Sequence, residues 1–158
     1  MKQREKKSFE KREELINAAL IEFGDNGYEQ ASLNNILREA GISKGTFYYH
    51  FKNKEELYFY LIDILIKEKT DYFNKNIKPE DLNKDIFTLL KKMIRVGIEF
   101  AHYRPEIDRF SATYLKDINS PIFQKIREKY DFKNNIFYNA FFGRDDTQIP
   151  CCKGYRIG

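Results

Sequence analysis

Four residues are suited to metal or nucleophilic chemistry, His50, His102, Cys151 and Cys152, and their spacing serves neither. The histidines stand far apart, and no cysteine or carboxylate cluster flanks either one at ligand spacing, so no metal site is expected. No nucleophile pairs with a base and no phosphate-binding glycine loop occurs, which argues against an enzyme and leaves no cofactor implied. A different chemistry is concentrated between Gly41 and Lys54. Lys44, Gly45, Thr46, Tyr48, Tyr49 and His50 crowd onto one short stretch, bringing ammonium, hydroxyl and imidazole groups that hydrogen-bond to base edges and phosphates. No acidic residue interrupts them, whereas Lys44, Lys52 and Lys54 are present. Residues 1–60 hold ten Lys or Arg against ten Asp or Glu, so the positive charge is a local patch and not a property of the domain.

Two short helices are needed to aim these groups. Ser32 is placed to cap a helix over about Leu33 to Ala40, with Leu33, Ile36 and Leu37 on one apolar face. Gly41 ends it, because glycine takes the left-handed conformation without a Cβ clash. Ser43 caps the next helix, and Ile42 and Phe47 have the placing of a hydrophobic staple. Phe47 and Phe51, four apart, face inward and leave the polar residues outside. Such a rod is about 12 Å long and fits a major groove about 12 Å wide. This is a helix-turn-helix.

The stretch from Lys11 to Leu61, with FGDNGYEQAS, AGISKGTFYYHF and KNKEEL in succession, resembles the DNA-binding region of TetR-type bacterial transcriptional regulators. The resemblance implies base-edge contacts by Lys44, Gly45, Thr46 and Tyr49, and phosphate contacts by Ser32, Tyr48, His50 and Lys54, with Ser43 at the root of the reading helix. It also implies a homodimer on a near-palindromic operator in double-stranded DNA and a small apolar or aromatic effector. Release of DNA by that effector would make the protein a repressor. An architectural or cell-division factor without an effector is the alternative reading.

The rest of the chain reads as helix throughout. From Phe9 to Asn26 an apolar stripe of Leu15, Ile16, Ala19, Leu20 and Phe23 predicts a first helix that Gly27 stops. Together with Tyr28, Leu33, Ile36, Leu37, Ile42, Phe47 and Phe51 it would close a three-helix core. Asn53 and Glu56 form a capping-box pattern that starts a fourth helix extending to about Phe73. Residues 74–81 read as a connection, followed by helices over Leu82 to about Tyr103, Pro105 to about Asp117 and Pro121 to about Phe142. The expected fold class is all-α, with a homeodomain-like helix-turn-helix domain over residues 1–53 and a helical effector-binding and dimerisation domain over 54–158. Phe100, Tyr103, Phe110, Tyr114 and Phe137 are candidates to line its cavity.

Composition sets the outer bounds. The 158 residues, 42% hydrophobic and 33% charged, with a net charge of +4, describe a globular chain that tolerates a polyanionic partner. No run of eighteen apolar residues suggests a membrane span, the charged N-terminus lacks a signal core, and two cysteines make no disulfide framework, so a cytoplasmic location is expected. Residues 1–8 read as a basic arm. From about residue 144 the chain loses helical period, and the adjacent cysteines there belong to an atypical tail.

Overall fold

The computed structural model describes residues 11–116 and 119–130, and every regular element among them is helical. The chain divides into two compact units, residues 1–120 and 121–158. The first holds α1 (Arg12–Gln30), α2 (Leu33–Ala40), α3 (Lys44–His50), α4 (Lys54–Asn76), the single turn α5 (Pro79–Leu82), α6 (Ile86–Tyr103) and α7 (Pro105–Lys116). The second holds α8 (Pro121–Lys129), on which Ile122, Phe123 and Ile126 are buried. The basic arm, the expected reach of α8 to Phe142, the tail and both cysteines lie outside the described residues.

The helix boundaries follow from local capping. Ser32 Oγ accepts from the Asn35 amide at 3.4 Å, Ser43 Oγ from Thr46 at 3.0 Å and Asn53 Oδ1 from Glu56 at 2.8 Å, each satisfying an otherwise orphaned amide. The reciprocal half of the box at Asn53 is displaced by one residue, since the Glu56 carboxylate accepts from the Lys52 amide at 2.5 Å. Gly41 has φ 63°, and the amides of Gly41 and Ile42 return to the carbonyls of Arg38 and Leu37. Gly27, at φ 70° and ψ 176°, breaks the helical path as expected, but one further turn follows it before α2 begins.

The three-helix core is tighter than the predicted list. Leu15, Ala19, Leu20, Phe23, Ile36, Leu37 and Phe47 are fully enclosed, while Tyr28, Leu33, Ile42 and Phe51 sit at its half-buried margin. Phe51 stacks on Phe47 with ring centroids 5.5 Å apart.

Two expectations change beyond Phe73. The segment expected to be a connection is largely helical: α4 runs on to Asn76, and Pro79 nucleates α5. That turn carries the buried carboxylate Asp81, 4% exposed, which pairs with Lys84 at 2.8 Å, with Lys92 of α6, and with the Lys78 amide at 2.9 Å. These hydrogen bonds, led by Lys84, hold its carboxyl well below the ordinary carboxylate range. The following helix starts at Ile86 and not at Leu82, because Asp85 caps it by accepting from the amides of Phe87 and Thr88, both at 3.1 Å.

Candidate nucleic-acid interface

Helix α3 has seven residues, of which only Phe47 is buried. Lys44, Gly45, Tyr48, Tyr49 and His50 are exposed and Thr46 is half-buried, so one anchor holds the rod and the rest of its surface faces outward. Tyr49 is 80% exposed, and its ring meets that of His50 edge-on at 4.9 Å. Tyr48, 55% exposed, meets the ring of Phe47 in a T-shaped contact with centroids 5.2 Å apart, which steadies a ring that stays largely in solvent. Leaving such area in water opposes folding, so these tyrosines are spent on something other than the core.

The two glycines near this helix answer different needs. Gly41 needs its left-handed backbone, and an added Cβ would also stand 3.1 Å from the Lys11 ammonium that donates to the Gly41 carbonyl at 2.9 Å. Gly45 has an ordinary helical backbone, and a Cβ there would meet nothing closer than Ser43 Oγ at 3.7 Å. The fold gives no reason for glycine at position 45. A bare backbone on the outer face of a reading helix is what close approach to DNA requires.

Several polar groups of the site also build it. Ser43 and Thr46 share a hydroxyl contact at 2.9 Å, so Thr46 is held by the cap of its own helix. Ser32 caps α2 while its amide donates to Glu22 at 2.8 Å, which fixes α2 against α1.

Lys54 departs from its expected role. Its ammonium turns inward and donates to the carbonyls of Tyr28 at 2.7 Å, Ala31 at 3.0 Å and Glu29 at 3.4 Å, and it lies 4.7 Å from the centroid of the Tyr28 ring. An ammonium has three donors, and here three carbonyls take them. Lys54 therefore braces the first residue of α4 to the reversal between α1 and α2, and in this arrangement no proton is left for a phosphate. Its spacing in the sequence could not show this brace, because the acceptors lie 23 to 26 residues earlier in the chain. Lys52, in contrast, is exposed.

The head is not tied to the remainder through α4 alone. Helix α7 crosses α1 at Gly24, where the Arg109 stem and the Phe110 amide would stand 3.3 and 3.4 Å from an added Cβ. Thr113 donates to the Gly24 carbonyl at 2.6 Å and Arg109 pairs with Asp25 at 3.0 Å. Tyr58 of α4 joins these helices, its ring 4.9 Å from Phe23, 5.0 Å from Tyr28 and 5.3 Å from Phe110.

The residues expected to line an effector cavity are divided. Phe100 and Tyr103 both meet the ring of Tyr72, but Phe100 is buried and Tyr103 is 67% exposed. Phe110 packs on Tyr58, Tyr114 is buried, and Phe137 lies outside the described residues. Sequence reasoning missed the polar group among them. Lys69 donates to the buried Ser111 hydroxyl at 2.9 Å and sits 5.9 Å from the Phe100 ring. Burial lowers its pKa, opposed by Asp108. The signal was available: Lys69 continues the four-residue stripe of Leu57, Leu61, Leu65 and Phe73, all buried. His102 is exposed at the end of α6, with Nδ1 2.8 Å from the Ile98 carbonyl oxygen. Arg104 pairs with Glu68. Among the described residues no three His, Cys, Asp or Glu side chains gather as a metal set, and no helix is long and apolar enough to cross a membrane.

Residues 15–61 match the family described as bacterial regulatory proteins, tetR family. The chain is 25% identical, over 76% of its length and 69% of the relative's, to the biofilm operon icaADBC HTH-type negative transcriptional regulator IcaR of Staphylococcus epidermidis. It is 31% identical to the fatty acid metabolism regulator protein of Bacillus subtilis, covering 73% of this chain and 58% of that protein. A crystal structure of a TetR family transcriptional regulator from Chloroflexus aurantiacus superposes with a TM-score of 0.61 at 32% identity, covering 76% of this chain and 56% of that one.

Proposed function

We propose, from the premise that the chain belongs to the TetR family of bacterial regulatory proteins, that it is a sequence-specific repressor that binds a near-palindromic operator as a homodimer. The observation that carries this reading is the outer surface of α3, where a lysine, two tyrosines, a histidine and a glycine are exposed, and where the fold has no need of the glycine. Lys44, Gly45, Thr46 and Tyr49 read base edges. Ser32, Ser43, Tyr48 and His50 meet phosphates, joined by Lys52 in place of Lys54. Two copies set their reading helices in successive major grooves about 34 Å apart. The head comprises residues 1–53, and residues 54–158 serve effector binding and dimerisation. A cytoplasmic location follows from the partner.

The effector is a small molecule with an apolar or aromatic body, held near Phe100, Phe110 and Tyr114, and Lys69 favours an acidic group on it. Such a ligand must bind the two states of the protein unequally, typically by about 1–3 kcal/mol, to change DNA occupancy. Both α4, through Tyr58, and α7, through Gly24, touch the head, so a shift of either re-aims α3. The test is recovery of bound genomic fragments with and without a metabolite extract. One enriched palindromic motif that disappears with extract is expected. No sequence preference at low salt refutes the reading, and many scattered sites without release favour an architectural protein.

A further inference from the structure

Helix α3 is anchored in the core by one buried side chain, Phe47, and a single anchor fixes the position of a rod but not its direction. Seven residues span about 10 Å, so a tilt of about 10° around the middle moves each end by roughly 0.9 Å. Hydrogen bonds to base edges do not survive such a shift, since their heavy-atom distances lie within about 2.7–3.2 Å. Ties at the two ends of α3 would hold its direction, and the start of α1 supplies both.

At the leading end, the Lys11 ammonium donates to the Gly41 carbonyl at 2.9 Å, in the turn from which the chain enters Ser43 and α3. At the trailing end, Arg12 donates to the Tyr60 hydroxyl, and its guanidinium carbon lies 5.3 Å from the centroid of that ring. The Tyr60 ring in turn meets Phe51, the C-cap of α3, with centroids 5.5 Å apart and planes at 60°, and Phe51 stacks on Phe47. Two consecutive residues therefore reach across 30 and 48 positions of chain to opposite ends of the same short helix.

Helix α1 gives no reason of its own for cations here. Lys11 is its N-cap and makes no side-chain capping hydrogen bond, and positive charge is disfavoured at the positive end of a helix dipole. Both residues are exposed, so the core does not need them either. The Gly41 carbonyl, by contrast, stands at the negative end of α2, where an ammonium is favoured.

We propose that Lys11 and Arg12 are positioning residues that clamp α3 at its two ends and set the angle at which it reads DNA, with Tyr60 passing the grip of Arg12 to Phe51. The inference rests on the reading of α3 as the DNA-contacting helix, and it adds residues that act through α3 without touching a base.

The test uses the full chain with Lys11→Met, Arg12→Met, Tyr60→Phe and the Arg12→Met/Tyr60→Phe double variant. Affinity is measured for the motif that the wild type selects from random duplexes and for a scrambled duplex of the same composition. Hydrogen exchange of residues 44–51 is followed without DNA. Each single variant is expected to lose about 10-fold in the ratio of the two affinities, the scale of a spoiled base contact. The salt slope stays unchanged, exchange in α3 quickens, and the melting temperature falls by no more than about 3 °C. The double variant is no worse than either of its parents, because guanidinium and hydroxyl act as one contact. An equal loss on both duplexes with a shallower salt slope overturns the clamp, since Lys11 and Arg12 then meet phosphates directly. A lower melting temperature with the ratio and the exchange unchanged also overturns it, as do additive losses for Arg12 and Tyr60. A wild type without any sequence preference removes the DNA reading alone, and exchange in α3 then decides whether the clamp exists.

Discussion

Replacing Lys54 with methionine separates two roles that the sequence alone conflates. Methionine keeps most of the aliphatic stem and removes the ammonium that holds the carbonyls of Tyr28, Glu29 and Ala31. Hydrogen bonds involving a charged group contribute about 1.5–3 kcal/mol, and a partly exposed cation over an aromatic ring about 0.5–1 kcal/mol. Part of the first is recovered by water at the exposed Glu29 contact, which leaves a cost of roughly 2–3 kcal/mol. For a protein of this size that lowers Tm by about 5–10 °C. The counterpart measurement is DNA affinity across a salt series. A lysine that neutralises a phosphate contributes about 0.9 to the slope of log K against log salt, or about 1.8 for a two-headed complex. The brace predicts a lower Tm with the slope unchanged, and Lys52→Met predicts the reverse. An unchanged Tm for Lys54→Met, with the slope reduced by about 1.8, would refute the brace and return Lys54 to the phosphates.

Other substitutions probe single features. Gly45→Ala should raise Tm slightly, since alanine is favoured over glycine in a helix by about 0.5–1 kcal/mol, yet weaken operator binding at least ~10-fold in a mobility-shift titration; unchanged affinity would show that the bare backbone is not used. Tyr49→Ala, at a side chain 80% exposed, should leave Tm within about 1 °C and redistribute preference among operator variants in a selection from random duplexes. A uniform loss across sequences would make Tyr49 a positioning residue. Asp81→Asn should lower Tm at neutral pH. Because the folded-state pKa of Asp81 is depressed, its stabilisation is fully present above the unfolded carboxylate range near about 4 and is lost as pH falls through the folded value. The acid limb of a melting-temperature profile should therefore be shallower in the variant, and parallel profiles would contradict the ion-pair assignment.

The helix starts at Leu33, Lys44 and Lys54, the stop at Gly41 and the burial of Phe47 were all legible in the sequence, because each depends on residues within about four positions of one another. The exposed chemistry of α3 was legible for the same reason: one inward aromatic on a seven-residue helix determines which side chains face out. Tertiary packing decided what spacing does not encode. Lys54 reaches carbonyls 23 and more residues away, Gly24 admits α7 across the back of α1, and Lys69 is drawn inside because its stripe is buried. The α6 pattern marks an apolar face on which Leu90, Ile94 and Ile98 stay half exposed, and it leaves open what covers them. An amphipathic period gives the direction in which a side chain points, and only the docking of distant elements turns that direction into burial, an ion pair or a free surface.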